Sequence, residues 1–208
     1  MDRMSKEHWD GVYNSKRENE VSWFQDTPAL SLDFIDRIGA RLDSSIVDVG
    51  GGASRLVDSL IARGFKHVTV LDLSDAALAV SKARLAEKAN CVEWIVADVT
   101  KWNPDKSYDL WHDRAAFHFL TEQADRKSYV DRLVKSLRLG GHAIIGTFAL
   151  DGPERCSGLP IVRYSPDSLA ETLGSNFQLI SSQSEEHTTP WGSVQRFQFS
   201  TFLRTGRE

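Results

Sequence analysis

The stretch Asp48-Val49-Gly50-Gly51-Gly52-Ala53-Ser54 constrains this chain more than any other. It follows a short β-branched run, 45–49, and opens a segment over 53–63 with apolar residues at helical spacing: Leu56, Val57, Leu60 and Ile61. That order predicts a strand, a tight turn and a helix. Gly64 suits the position just past the helix end. In open sheets built this way, ligands sit at the carboxyl ends of the strands, and glycines let ligand atoms approach the backbone.

The same alternation continues. Residues 67–73 (HVTVLDL) read as a strand, and Ser74 with Asp75 as the cap and first turn of a helix over 76–88. Strands follow at 91–97 and 108–112. A long amphipathic helix over 122–139 puts Tyr129, Leu133, Val134 and Leu137 on one face, with Gly140-Gly141 ending it before a strand at 142–148. Short apolar strands alternating with helices predict a mostly parallel sheet covered on both faces. Ser165-Pro166-Asp167 starts a helix to about 173. Strands at 177–182 and 195–203, joined through Thr189-Pro190-Trp191-Gly192, then form an antiparallel pair at the sheet edge. Ahead of the first strand, helices at 6–14 and 28–38, the second with Thr27 as cap and Pro28 first, flank Val21, Trp23 and Phe24. They read as a cover over the ligand edge. The chain is thus one domain over 1–208: a helical cover (1–44), a ligand-binding core (45–150), and a loop, helix and final strands (151–208).

Composition narrows the partners. Of 208 residues, 25 are Lys or Arg and 29 Asp or Glu, a net charge of −4 that argues against nucleic acid. The longest apolar run, near 143–150, is far short of a membrane span, and the first residues lack a signal-peptide pattern. Two cysteines, Cys91 and Cys156, make neither a disulfide framework nor a four-ligand zinc site. These features predict a cytoplasmic protein without membrane partner or metal, as monomer or homodimer.

Three acids identify the ligand. A dinucleotide fingerprint from Gly50 needs glycine at position 55, where Arg55 stands. Asp48, two residues before Gly50, repels pyrophosphate and suits a ligand with an ammonium or sulfonium group. Asp72 ends the second strand, where an acid accepts from ribose hydroxyls. Asp98 ends the third, where it can accept from an adenine amino group.

With these residues the chain resembles the class I S-adenosylmethionine-dependent methyltransferases. Their acid-x-Gly-x-Gly-x-Gly motif is matched by Asp48, Gly50 and Gly52, with Ser54 in the last place; Leu137-Arg138-Leu139-Gly140-Gly141 matches a post-helix motif with Leu139 for proline. The resemblance implies a Rossmann-like α/β fold of seven strands, order 3-2-1-4-5-7-6 with the seventh antiparallel. It implies S-adenosylmethionine as cofactor and S-adenosylhomocysteine as product, held by Asp48, Gly50, Gly51, Gly52, Ser54, Asp72, Leu73, Asp98, Val99 and His112, with Tyr13 and Trp23 from the cover. Trp111-His112-Asp113-Arg114-Ala115-Ala116 with Arg126 and Tyr129 is similar to thiopurine and thiol methyltransferases; Trp9, Tyr13 and Trp23-Phe24 look like small protein-lysine methyltransferases.

The implied reaction is in-line methyl transfer, for which the protein supplies alignment and a dry pocket. The favoured acceptor is a small molecule with a thiol or other soft nucleophile; a protein lysine is the alternative, and a noncatalytic cofactor-binding domain the second. Asp113 and His118 are the candidate catalytic groups; Asp113 equally suits an ion pair with Arg114 or Arg126, and a His among aromatics, as His118 is, more often packs and hydrogen-bonds than catalyses. Trp9, Tyr13, Trp23 and Phe24 are candidates for an aromatic lid, and Trp94, Trp102 and Trp111 for packing. Cys156 and Arg155, in the loop after the fifth strand, can overhang the substrate. His187, before a turn, is expected to be exposed.

Overall fold

A computed structural model describes residues 5–206; residues 1–4 of the cover and the last two lie outside it. Seven strands make one sheet: β1 (Ser45–Val49), β2 (His67–Asp72), β3 (Val92–Val96), β4 (Tyr108–Arg114), β5 (Leu137–Phe148), β6 (Phe177–Thr188) and β7 (Val194–Arg204). Their order is β3-β2-β1-β4-β5-β7-β6. The first five run parallel; β7 lies antiparallel between β5 and β6. The strand order reverses between β1 and β4, the place where an open α/β sheet leaves a crevice.

Helices α1 (Lys6–Ser15), α2 (Ala29–Arg37), α3 (Leu56–Ala62), α4 (Asp75–Leu85), α5 (Gln123–Ser136) and α6 (Pro166–Leu173) surround it. Strand alternation divides the core in two. Ile46, Ile144, Phe197 and Phe199 face one apolar layer with Phe34, Leu56 and Leu78. Val47, Val49, Ala143, Ile145 and Phe202 face the other with Tyr129, Leu133 and Leu169. Trp102 and Trp111 are buried in this second layer, whereas Trp94 packs on the first and donates to the Ala89 carbonyl at 3.0 Å. No helix among the described residues is long and apolar enough to cross a membrane.

Boundaries move where tertiary contacts outweigh local signals. Helix α5 stops at Ser136 rather than 139, because Leu137 is buried and pairs with Tyr108 of β4. Helix α3 begins at Leu56, three residues later than the expected start at 53. Helix α2 takes Pro28 as its cap rather than its first residue. Ser74 and Ser165 cap α4 and α6 through their hydroxyls. Strands β6 and β7 extend toward each other well past 182 and before 195. Between β5 and α6, Arg155–Cys156 and Leu159–Pro160 form a small two-stranded ladder.

Candidate functional site

The carboxyl ends of β1 to β4 open into a cleft of two chambers. The larger, about 690 Å³ counting its mouth, is walled by Asp72, Leu73, Asp98 and Val99 on one side, and by Trp9, Tyr13, Trp23 and Phe119 on the other. The second, about 530 Å³, lies over the glycine turn between Asp48, Gly51, Ser54 and His112 and the segment from Glu18 to Gln25. Tyr13, Trp23, Gly50 and Arg114 line both chambers. These volumes suit a ligand of cofactor size.

The turn is packed too closely against the protein's own side chains to carry any of its own. Gly50 has φ +69°, and a Cβ there would meet the Ala116 methyl at 2.6 Å. A Cβ at Gly51 would lie 2.5 Å from Asp48 Oδ2. Asp48 is buried at 2% exposure, which makes an unpaired oxygen costly. Its Oδ1 accepts from His112 Nδ1 at 2.7 Å, while Oδ2 has no partner. His112 Nε2 meets the Ser31 hydroxyl at 2.9 Å. Ser31, His112 and Asp48 therefore form a relay from α2 to the turn that ends in one unsatisfied acceptor. Both ring nitrogens of His112 are engaged, so it orients Asp48. Ser54 faces the second chamber with its hydroxyl accepting from the Leu56 N–H at 3.2 Å.

Asp72 accepts from the Ser74 N–H at 2.8 Å. Desolvation in the cleft, together with the Asp48 carboxylate, pushes its pKa up to about 7. Asp98 behaves oppositely. Burial opposes its charge, but bonds from the Thr100 N–H and hydroxyl (2.9 and 2.6 Å) and from Lys101 hold its carboxyl below the usual range. Both acids line the larger chamber, as does Val99, which is buried in the second apolar layer.

Aromatic rings from the cover close the cleft. Trp9 packs edge-on against Trp23 at 5.6 Å and Phe119 at 5.1 Å, and Trp23 donates its indole N–H to the Tyr13 hydroxyl at 3.1 Å. Phe24 lines the second chamber beneath the Arg55 guanidinium. His8 Nε2 reaches the Ser157 hydroxyl at 3.3 Å, joining α1 to the 155–160 ladder. Cys156 lines the larger chamber, and burial pushes its thiol up to about 12. The exposed Arg155 instead bonds the Gly158 carbonyl of its own turn.

Asp113 and His118, the candidate catalytic groups, line neither chamber. Asp113 accepts from the Ala116 and Phe117 N–H groups and, at 2.7 Å, from the Tyr129 hydroxyl. Its carboxylate shapes the turn after β4 and pairs with neither Arg114 nor Arg126; the Arg126 guanidinium bonds the Leu120 and Thr121 carbonyls. His118 is fully buried between Phe119 and Phe148, and burial lowers its pKa to about 3. It is a neutral packing residue. His187 is buried rather than exposed, bonded to the Ser22 carbonyl at 2.7 Å beside Phe197.

Of the residues after the fourth strand that the resemblance implies would face the reactive methyl (His112, Asp113, Arg114, Phe117 and His118), Arg114 lines both chambers and His112 the second, while Asp113, Phe117 and His118 line neither. Arg114 ends β4, next to β1, at the level of the glycine turn.

Residues 46–141 match a family described as a methyltransferase domain. The chain is 26% identical over 170 residues to malonyl-[acyl-carrier protein] O-methyltransferase 1 of Ilyobacter polytropus, covering 76% of this chain and 62% of that one. It is 30% identical over 142 residues to ubiquinone biosynthesis O-methyltransferase of Nitrosomonas europaea, covering 67% and 56%. The chain thus spans less than two thirds of either relative. Its fold is similar to that of the N-methyltransferase NodS from Bradyrhizobium japonicum in complex with S-adenosylhomocysteine, with TM-score 0.69 and 16% identity over 94% of this chain and 97% of that one.

Proposed function

We propose that the chain is a class I S-adenosylmethionine-dependent methyltransferase that methylates a small molecule bound under the aromatic cover, a reading supported by the match of residues 46–141 to a methyltransferase domain and by the similar methyltransferases. The carrying observation is the unsatisfied, buried Asp48 Oδ2 beside the glycine turn at the floor of the cleft. An orphaned carboxylate oxygen fits the ammonium of a methionine group. Asp72 fits the ribose diol and the Asp98–Val99 edge the adenine. When bound, the cofactor supplies an electrophilic methyl on a cationic sulfur. The residues of this chain hold and orient. Ser31 and His112 fix Asp48, and Tyr13, Trp23 and Phe119 exclude water and align the acceptor.

The covered cleft favours a small molecule over a protein lysine, which needs a channel reaching the surface. The test is incubation of the protein and a cell lysate with tritiated S-adenosylmethionine, followed by acid precipitation. Label in the soluble small-molecule fraction supports the proposal. Label in the precipitated protein contradicts it, and protein-dependent label in neither fraction favours a noncatalytic binding domain.

A further inference from the structure

Helix α1 has no fully buried residue, so its place over the cleft depends on side-chain links. Asp10 makes the link to α4. Its Oδ1 accepts from the Ser74 hydroxyl at 2.6 Å, and its Oδ2 pairs with Lys6, which also reaches Asp75. These donors hold the Asp10 carboxyl below the usual range, so it stays ionised and accepts strongly. Trp9 and Tyr13, on the same helix, wall the larger chamber together with Asp72.

Ser74 stands between two acids. It is fully buried and caps α4 by accepting from the Ala77 N–H at 3.1 Å. Its own N–H goes to Asp72 Oδ1 at 2.8 Å, and its hydroxyl proton goes to Asp10. A buried hydroxyl that loses its acceptor must find another. Asp72, already bonded to the N–H of the same residue, is the substitute at hand. A carboxylate offers roughly four acceptor sites. The Ser74, Gly52 and Leu73 N–H groups already draw on Asp72, so two ribose hydroxyls leave none spare.

We propose that Asp10 is a positioning residue for cofactor recognition: by taking the Ser74 hydroxyl proton it leaves the Asp72 carboxylate to the ribose, and ribose binding in turn holds α1 closed. This rests on the methyltransferase reading. With α1 seated, Ser74 donates to Asp10, and Asp72 is free to accept from the diol. With α1 lifted, the hydroxyl turns to Asp72 and competes with the ribose. The two events are linked because they draw on one acceptor, and linkage is reciprocal. The same seat brings Trp9 and Tyr13 over the chamber, so the aromatic wall closes as the ribose is held.

The test is calorimetric titration at pH 8 with S-adenosylhomocysteine and with its 2′-deoxy analogue, which lacks one ribose hydroxyl. The readout is the ratio of the two affinities, which a merely loosened cover would leave unchanged. Asp10→Ala should lower that ratio at least about fivefold, and Asp10→Asn, which keeps an oxygen for the Ser74 hydroxyl, should hold it within about twofold of wild type. Adding Ser74→Ala to Asp10→Ala removes the competing hydroxyl but keeps the N–H, and should bring the ratio back to within about twofold of wild type. In wild type, saturating S-adenosylhomocysteine should slow amide exchange over residues 8–14 at least about threefold more than the saturating analogue does. The proposal is overturned by an unchanged ratio in Asp10→Ala, by an equal fall in Asp10→Asn, by a ratio that stays low in the double variant, or by equal slowing of exchange with the two ligands. Equal binding of the two ligands by wild type overturns it as well. Failure of wild type to bind S-adenosylhomocysteine at all contradicts the methyltransferase reading itself.

Discussion

At the scale of single residues, two carboxylates carry the account, and they differ in what their surroundings do to them. Asp72 is held near pKa 7 by desolvation and the nearby Asp48 charge. Its carboxylate form is the better acceptor for two hydroxyls, so cofactor binding should favour the ionised state. Below pH 7 the proton must be lost before binding, and apparent affinity falls as the pH falls. S-adenosylhomocysteine should bind roughly tenfold more weakly at pH 6 than at pH 8, which calorimetry at both values checks; a flat profile would contradict this role. Asp72→Ala removes two charge-assisted bonds and should cost about a hundredfold in affinity. Asp48 depends on a partner instead. His112→Ala leaves it with no protein donor, so roughly 2 kcal/mol of stability and about 4–8 °C in Tm should go, together with cofactor affinity. A thermal melt beside a binding titration measures both; an unshifted melt would show that the Ser31–His112–Asp48 relay carries no energy.

At the scale of elements, the cover is tied down by charge. Glu18 bonds both Arg55 and Arg84, and Arg84 also grips Asp58 at 2.6 and 2.8 Å and the Ser54 carbonyl at 2.9 Å. This network clasps the segment before α2 onto α3 and α4, over the second chamber. Arg84→Ala should raise amide exchange across residues 17–25 about tenfold and leave β1 to β5 unchanged; unaltered exchange there would mean that the aromatic packing alone holds the cover. How much of this was readable in the sequence follows from the range of each signal. Strand alternation and the glycine turn are local patterns and appear at their expected places, and Asp48, Asp72 and Asp98 line the cleft, Asp98 two residues past the end of β3 rather than at it. The end of α5 was not readable, because pairing of Leu137 with Tyr108 overrides a helical pattern that continues in sequence. The burial of His187 depends on Ser22 and Phe197, one of them far away in the chain. Ser31, on a helix expected from its cap, gave no sign that its hydroxyl would reach His112. The unpartnered donors of Arg114 exist only once Trp23 and Phe197 have folded around it.

At the scale of the whole molecule, the sheet sorts the work by strand. Asp98 follows β3, Asp72 ends β2, the glycine turn follows β1 and Arg114 ends β4, all on one edge of the sheet under the cover and the 155–160 ladder. The central claim is that the glycine turn with its three acids recognises a sulfonium nucleoside rather than a dinucleotide. The direct measurement is calorimetric titration of the purified protein with S-adenosylmethionine, S-adenosylhomocysteine and NAD. The account predicts micromolar binding of both sulfur ligands at one site per chain and no heat with NAD. Binding of NAD, or silence with both sulfur ligands, would contradict it.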